Sequence, residues 1–302
     1  MNDKIITSIV SSHNVWTPVP VGETDEEGNE IDIRTTLQTE IEADEINEKS
    51  KFKIYLVLNQ PFEKDSTTPV DFTNVTSIEE LKQKTFVLTE YGGDNKVPMT
   101  GEGTAKFSYV DGNKIIFDAS IYAKRCVAKL GIYCTKASET SELTIKEITL
   151  SKVPDKGYLF DIPVDERSID YKKTVPLSLL DRDIAIDVYY SGTMPGFSDD
   201  SFFEDENSFI ELSQFYLLEN LNGIVDDNGF IQVDGQVPSD DRYYITLRYI
   251  LNGGNYEKKI YVSQIERNQY SKIYIRINDT TITIYCQVNS WTEHEIDVPA
   301  FE

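Results

Sequence analysis

An all-β fold, built as two sandwich domains in tandem with one or two short helices, is predicted by three observations. Apolar residues recur at every second position over long stretches, the period of a half-buried strand. Gly, Asn and Asp punctuate the gaps between those stretches. Helix signals are few.

The elements follow in chain order. Ile31, Ile33, Leu37 and Ile41, with Thr35 and Thr39 between them, alternate with Asp32, Arg34, Thr36, Gln38 and Glu40, which predicts a long strand. Phe52, Ile54, Leu56 and Leu58 repeat the pattern. Ser77-Ile78-Glu79-Glu80 is a capping box and starts a short helix that ends before Thr85-Phe86-Val87-Leu88. Arg125 to Cys134 reads as a strand whose apolar face carries Cys126, Ala128, Leu130, Ile132 and Cys134. Leu143 to Val153 is the next strand, followed by Ile184, Ile186, Val188 and Tyr190. Ser208-Phe209-Ile210-Glu211 repeats the capping box. Leu212, Phe215, Tyr216 and Leu218 at mixed helical spacing, closed by Gly223, then predict a second helix. Tyr243, Ile245, Leu247, Tyr249 and Leu251, and then Ile273, Ile275 and Ile277, complete the strands. Turns at Asp111-Gly112-Asn113, Asp226-Asp227-Asn228-Gly229, Asn252-Gly253-Gly254 and Asn278-Asp279 tolerate the left-handed backbone that hairpins need. Many short strands with such turns make a sandwich.

With 302 residues the chain accommodates two domains. Turn residues and charge cluster between Pro154 and Arg167, between two β-rich halves. The expected division is therefore an N-terminal extension over 1–30, one sandwich over 31–160, and a second over 161–302 with its tail.

Composition narrows the function. Lys and Arg total 29 against 52 Asp and Glu, a net charge of −23 that repels phosphate backbones, so no nucleic-acid partner is expected. No apolar run approaches the roughly 18 residues of a membrane span. Met1-Asn2-Asp3-Lys4 has none of the features of a signal peptide, which reads either as a cytoplasmic start or as a mature chain freed of its leader. The three cysteines make a poor disulfide framework: Cys126 and Cys134 lie about 26 Å apart along an extended strand. All three, including Cys286 on the face of Ile282, Ile284 and Val288, read as buried free thiols.

Catalytic chemistry is missing. The two histidines, His13 and His294, have no nucleophile and orienting group in a recognisable pattern. Asp199-Asp200-Ser201-Phe202-Phe203-Glu204-Asp205-Glu206 lacks the ligand spacing of a calcium loop and reads as a solvated segment. Gly101-Glu102-Gly103 lacks the third glycine of a nucleotide site. The 18 tyrosines suit strands, and an exposed cluster of them would stack on sugars. No enzyme, cofactor or metal site is expected.

Three stretches carry a resemblance. They are Val97-Pro98-Met99-Thr100-Gly101, then Ala123-Lys124-Arg125-Cys126-Val127-Ala128-Lys129-Leu130, then Ile265-Glu266-Arg267-Asn268-Gln269-Tyr270 with Val288-Asn289-Ser290-Trp291. In this order the chain resembles the fimbrillin family of Bacteroidetes, which builds type V pili. The resemblance implies two transthyretin-like β-sandwiches, made as an outer-membrane lipoprotein precursor and assembled at the cell surface into an adhesive fimbria. It also implies that a protease removes the first strand and that a neighbouring subunit donates a strand to the groove left behind. Partners would be other fimbrial subunits, in a homo- or hetero-polymer, and host or bacterial surface ligands. Ile31, Ile33, Leu37 and Ile41 mark the candidate removable strand, with Arg34 the candidate cleavage residue. A cut after Arg34 would leave Leu37 to Ile41 attached, and a permanent edge strand remains open as the alternative. The candidate donor is Ile296, Val298 and Ala300, limited by Pro299 to an edge position. Two other readings stand beside it: a monomeric glycan-binding surface lipoprotein, and a tip adhesin using Asp199 to Asn207 as a recognition loop.

Overall fold

Strands form almost everywhere that apolar residues alternate. The computed structural model describes residues 17–18, 35–36, 47–59, 61–63, 68–88, 97–176, 183–194, 206–222, 230–231, 241–262, 264–279 and 281–290. In chain order its strands are Thr17–Pro18 (β1), Thr35–Thr36 (β2), Phe52–Leu58 (β3), Thr85–Phe86 (β4), Met99–Asp111 (β5) and Lys114–Asp118 (β6). Then come Lys124–Arg125 (β7), Val127–Lys136 (β8), Leu143–Val153 (β9), Gly157–Tyr158 (β10), Lys173–Pro176 (β11) and Ile184–Ile186 (β12). Ile210–Leu218 (β13), Phe230–Ile231 (β14), Tyr244–Leu251 (β15), Gly254–Val262 (β16), Gln269–Ile277 (β17) and Ile282–Ser290 (β18) follow.

The chain divides into two compact units. One comprises Met1–Phe52, Asp71–Leu81 and Ala105–Asp118; the other comprises Lys53–Val70, Lys82–Thr104 and Ala119–Glu302. The larger unit holds a β-sandwich. One sheet runs β11-β9-β15-β16-β14 with β12 also on β9, and the facing sheet runs β13-β8-β17-β18. Ladders within the sandwich are antiparallel except β8 with β17, which run parallel at the centre of the second sheet. Period two sends Leu130, Ile132 and Cys134 of β8, Ile148 and Leu150 of β9, Ile245 and Leu247 of β15, and Ile273, Ile275 and Ile277 of β17 into one core. Each leucine or isoleucine among them contributes about 1.5–3 kcal/mol by leaving water. All three cysteines are free, with Cys126 and Cys134 buried and Cys286 packed at the core's margin.

The smaller unit contains the β5–β6 hairpin, paired from Lys106–Asp118 to Asp111–Lys114 around a turn where Gly112 takes φ +59°. It also contains most of the one α-helix among the described residues, Ile78–Lys82 (α1). Ser77 caps it, its Oγ accepting from Glu80 N at 3.1 Å, while Glu80 Oε2 reaches one residue beyond the cap and accepts from Thr76 N at 2.9 Å. No described helix is long and apolar enough to cross a membrane.

Two expectations are corrected. The second helix does not form: Glu206–Ser208 is a single 3₁₀ turn, and Ile210–Leu218 is strand β13. A bulge between Glu211 and Ser213 inserts Leu212 into the β13–β8 ladder, so Leu212 and Phe215 both reach the core. That shift of parity imitated helical spacing. The expected division near 160 also fails to separate two sandwiches. β8 and β9, which precede it, pair with β13, β17 and β15, which follow it. The would-be linker is interior chain: Gly157, Tyr158, Leu159, Phe160 and Ile162 are all buried.

Candidate functional site

The three short motifs, far apart in sequence, meet at one carbonyl. Thr100 Oγ1 donates to the oxygen of Leu159 at 2.7 Å, Cys126 Sγ donates to it at 3.4 Å, and Arg267 Nη1 donates to it at 3.0 Å. Each donor comes from a different motif. Burial pushes the Cys126 thiol up to about 11, so it keeps the proton that it donates.

Backbone geometry explains the residue types. A Cβ on Gly101 would lie 2.6 Å from the carbonyl oxygen of Tyr122 and 2.7 Å from Ile121 Cγ2, so only glycine fits. Asn268 sits at φ +58°, where asparagine is among the few tolerated side chains. Its Oδ1 accepts from Arg125 N at 3.2 Å and its own N–H donates to Val127 O at 2.8 Å, tying the third motif to the second. Cys126 N donates to Pro98 O at 2.8 Å, tying the second to the first.

Charge completes the knot. Arg267 Nη2 also donates to Tyr158 O at 3.2 Å and to Glu219 Oε2 at 3.2 Å, while Arg167 Nη1 donates to Glu219 Oε2 at 2.5 Å. Asp161 lies 3.3 Å from Arg267 Nε, so two guanidinium groups face two carboxylates. Burial pushes the Glu219 carboxyl up, but Arg267 and Arg167 outweigh it and hold it below the ordinary carboxylate range. Burial likewise opposes the charge on Arg267, and Glu219 overrides it in the other direction. The sequence motifs exposed Arg267, Thr100 and Cys126. They did not reveal Leu159 or Tyr158, because a backbone acceptor leaves no mark in a sequence, nor Arg167 and Glu219, which lie outside the three motifs.

A different feature marks the smaller unit. The β5–β6 hairpin exposes Phe107 (40%), Tyr109 (56%) and Val110 (48%), with Ile115, Ile116 and Phe117 half-buried. Phe117 holds the base by edge-on contacts with Phe52 at 5.0 Å and Phe107 at 6.2 Å. Among the described residues β6 has a ladder partner only on its β5 side. An apolar hairpin with an unpaired edge is a template for another strand.

Ile31, Ile33, Arg34, Leu37, Ile41, Ile296, Val298 and Ala300 lie outside the described residues, as do His13, His294 and the acidic stretch from Asp199 to Asp205. Of the candidate removable strand, Thr35–Thr36 is described, paired antiparallel with Thr17–Pro18. Among the described residues no group of three His, Cys, Asp or Glu side chains is placed to hold a metal ion.

No family model matches the sequence, and no curated protein matches it. Solved structures do align with the fold. A protein from Bacteroides eggerthii assigned provisionally to cell adhesion shares 14% identity over 87% of this chain and 83% of its own, with a TM-score of 0.49. A fimbrial assembly protein from Parabacteroides distasonis shares 11% over 88% and 87%, with a TM-score of 0.46. The chain is similar also to the C-terminally truncated tip fimbrial protein Mfa3 of Porphyromonas gingivalis, at 12% identity over 79% of this chain and 100% of that one, with a TM-score of 0.43.

Proposed function

We propose that the chain is a structural subunit of a cell-surface fimbria and that it polymerises by strand exchange, supporting adhesion. The observation that carries this reading is the β5–β6 hairpin, which leaves Phe107, Tyr109 and Val110 in water beside a strand edge with no ladder partner among the described residues. A strand of matching alternation gains both a hydrogen-bonded ladder and apolar cover by adding there. Two segments of this chain have that alternation: Ile31 to Ile41, and Ile296 to Ala300. In this reading a protease removes the first, with Arg34 the candidate cleavage residue, and the second arrives from the next subunit.

Removing residues 1–34 or 1–41 from the purified chain tests the idea by light scattering. The trimmed chain should form oligomers that the intact chain does not, and deleting 295–302 from the trimmed chain should return it to monomer. A product that stays monomeric after both trims would overturn the proposal.

A further inference from the structure

Strand β6 carries a pattern that is complementary to itself. It reads Lys114-Ile115-Ile116-Phe117-Asp118, a cation and an anion at either end of three apolar residues. Its ladder with β5 sets Lys106 opposite Asp118, Phe107 opposite Phe117, Tyr109 opposite Ile116, Val110 opposite Ile115 and Asp111 opposite Lys114. The bulge between Phe107 and Tyr109 brings Val110 onto the same face as Phe107. The hairpin is therefore apolar on both faces. Phe107, Val110, Ile115 and Phe117 share one, and Tyr109 and Ile116 lie on the other. Among the described residues the far edge of β6 has no ladder partner.

A second β6 laid antiparallel along that edge, with Ile116 opposite Ile116, completes every row. Lys114 of each copy meets Asp118 of the other, and Ile115 meets Phe117. Across the two hairpins the outer rows then run Lys106, Asp118, Lys114, Asp111, alternating in charge through four strands. One inner row runs Phe107, Phe117, Ile115, Val110, and the central one runs Tyr109, Ile116, Ile116, Tyr109. Lys114 also interacts within its own chain. Its ammonium carries three hydrogens, so a carboxylate from the second copy adds to that interaction and need not replace it. The neighbouring registers that keep the same facing set Lys114 or Asp118 against Ile116. Parallel, in-register pairing sets like charges directly opposite, which is destabilising. Only the antiparallel register centred on Ile116 satisfies both ends.

We propose that the β6 edge pairs with the β6 edge of a second copy, joining the two hairpins into one sheet across a two-fold axis. The proposal rests on the same open edge as strand exchange. A two-fold contact is closed, so it stops at two copies and covers the edge that an entering strand would use. Five residues a side bury less than the roughly 1,200 Å² of a stable interface, so the pair is weak and yields to a longer donor.

The test is sedimentation velocity on the intact, untrimmed chain from about 10 µM to about 1 mM, in about 0.15 M salt to screen two chains of net charge −23. A monomer–dimer equilibrium should emerge toward the upper end, with nothing larger than a dimer. Deleting 295–302 should leave it unchanged, which separates this dimer from oligomers made by strand exchange. Lys114→Asp and Asp118→Lys should each weaken the dimer about tenfold or more, because like charges then oppose at both ends. Mixed in equal amounts, the two variants should recover it as a heterodimer, since opposite charges meet again at both ends. That recovery also shows that both variants are folded. Ile116→Cys should form an intermolecular disulfide under mild oxidation, because directly opposed strand residues lie within disulfide reach. The wild-type chain, with Cys126 and Cys134 buried, is its control. The proposal is overturned if the intact chain stays monomeric throughout the range or grows beyond a dimer. It is equally overturned if deleting 295–302 abolishes the dimer, if neither charge reversal weakens it, or if the mixed variants fail to recover it.

Discussion

The sandwich and the β5–β6 hairpin use the same alternation and meet opposite fates. On β17, Ile273, Ile275 and Ile277 are fully buried because a second sheet lies across them. On β5, Phe107, Tyr109 and Val110 are wet, although the hairpin is paired down to its turn with a single bulge between Phe107 and Tyr109. Periodicity thus says which face of a strand wants cover; whether cover is present depends on a second layer from elsewhere. A region whose alternation is satisfied is scaffold. One whose alternation is left open is a place where something else belongs.

That contrast can be broken in three ways, in falling order of effect. Arg267→Ala would leave Glu219 buried with Arg167 alone and strip one donor from Leu159. Removing one member of a buried ionic cluster costs about 3–5 kcal/mol, so urea denaturation should show a loss of that size or no folded protein. Arg267→Lys should recover part of it, because the charge returns without the fork that also reaches Tyr158. Next, Leu247→Ala in the closed core should cost about 2–5 kcal/mol, while Val110→Ala on the open hairpin should stay within about 0.5 kcal/mol. Equal losses at the two positions would mean that the hairpin is covered in solution.

The smallest effect is that of acid. Glu219 has its pKa lowered by folding, so the unfolded chain binds more protons there, and the stabilisation rises with pH. It is whole above the ordinary glutamate value of about 4.3 and is lost as pH falls through the lower folded value. Glu219→Gln should therefore be less stable than the wild type at neutral pH, with the difference in melting temperature narrowing as the pH drops below about 4. A constant difference would place the loss in packing and not in charge.

How legible was this molecule? Strands such as Phe52–Leu58, Leu143–Val153 and Ile273–Ile277 lie where their alternation predicts, and Gly112 and Gly253 take the left-handed turns. β13 was misread because one bulged residue changes parity, an event that local spacing cannot distinguish from a helical turn. The segment after Pro154 was misread because proline, glycine and charge mark a turn but not its depth. Here Tyr158 and Leu159 are interior, and Asp161 remains near the surface opposite Arg267. The motifs themselves were visible, but their meeting point was not. The pairing of β8 with β17 was hidden for a related reason: the two strands are distant in sequence, yet lie side by side and parallel.

That parallel pairing also governs when the protein can fold. Tyr133 and Tyr270 stand 137 residues apart, and an antiparallel hairpin would have brought partners together far sooner. β8 is central in its sheet, yet both neighbours lie downstream of it. A chain emerging from its N-terminus therefore carries β8 with one edge bare until β17 has been delivered, and contacts of such long sequence separation close slowly. The second sheet completes late, so a chain interrupted before β17 leaves β8 with a bare edge and the core half covered, and is prone to aggregate. Arg267 and Asn268, just ahead of β17, fasten the first two motifs at the same moment that the sheet acquires its missing centre.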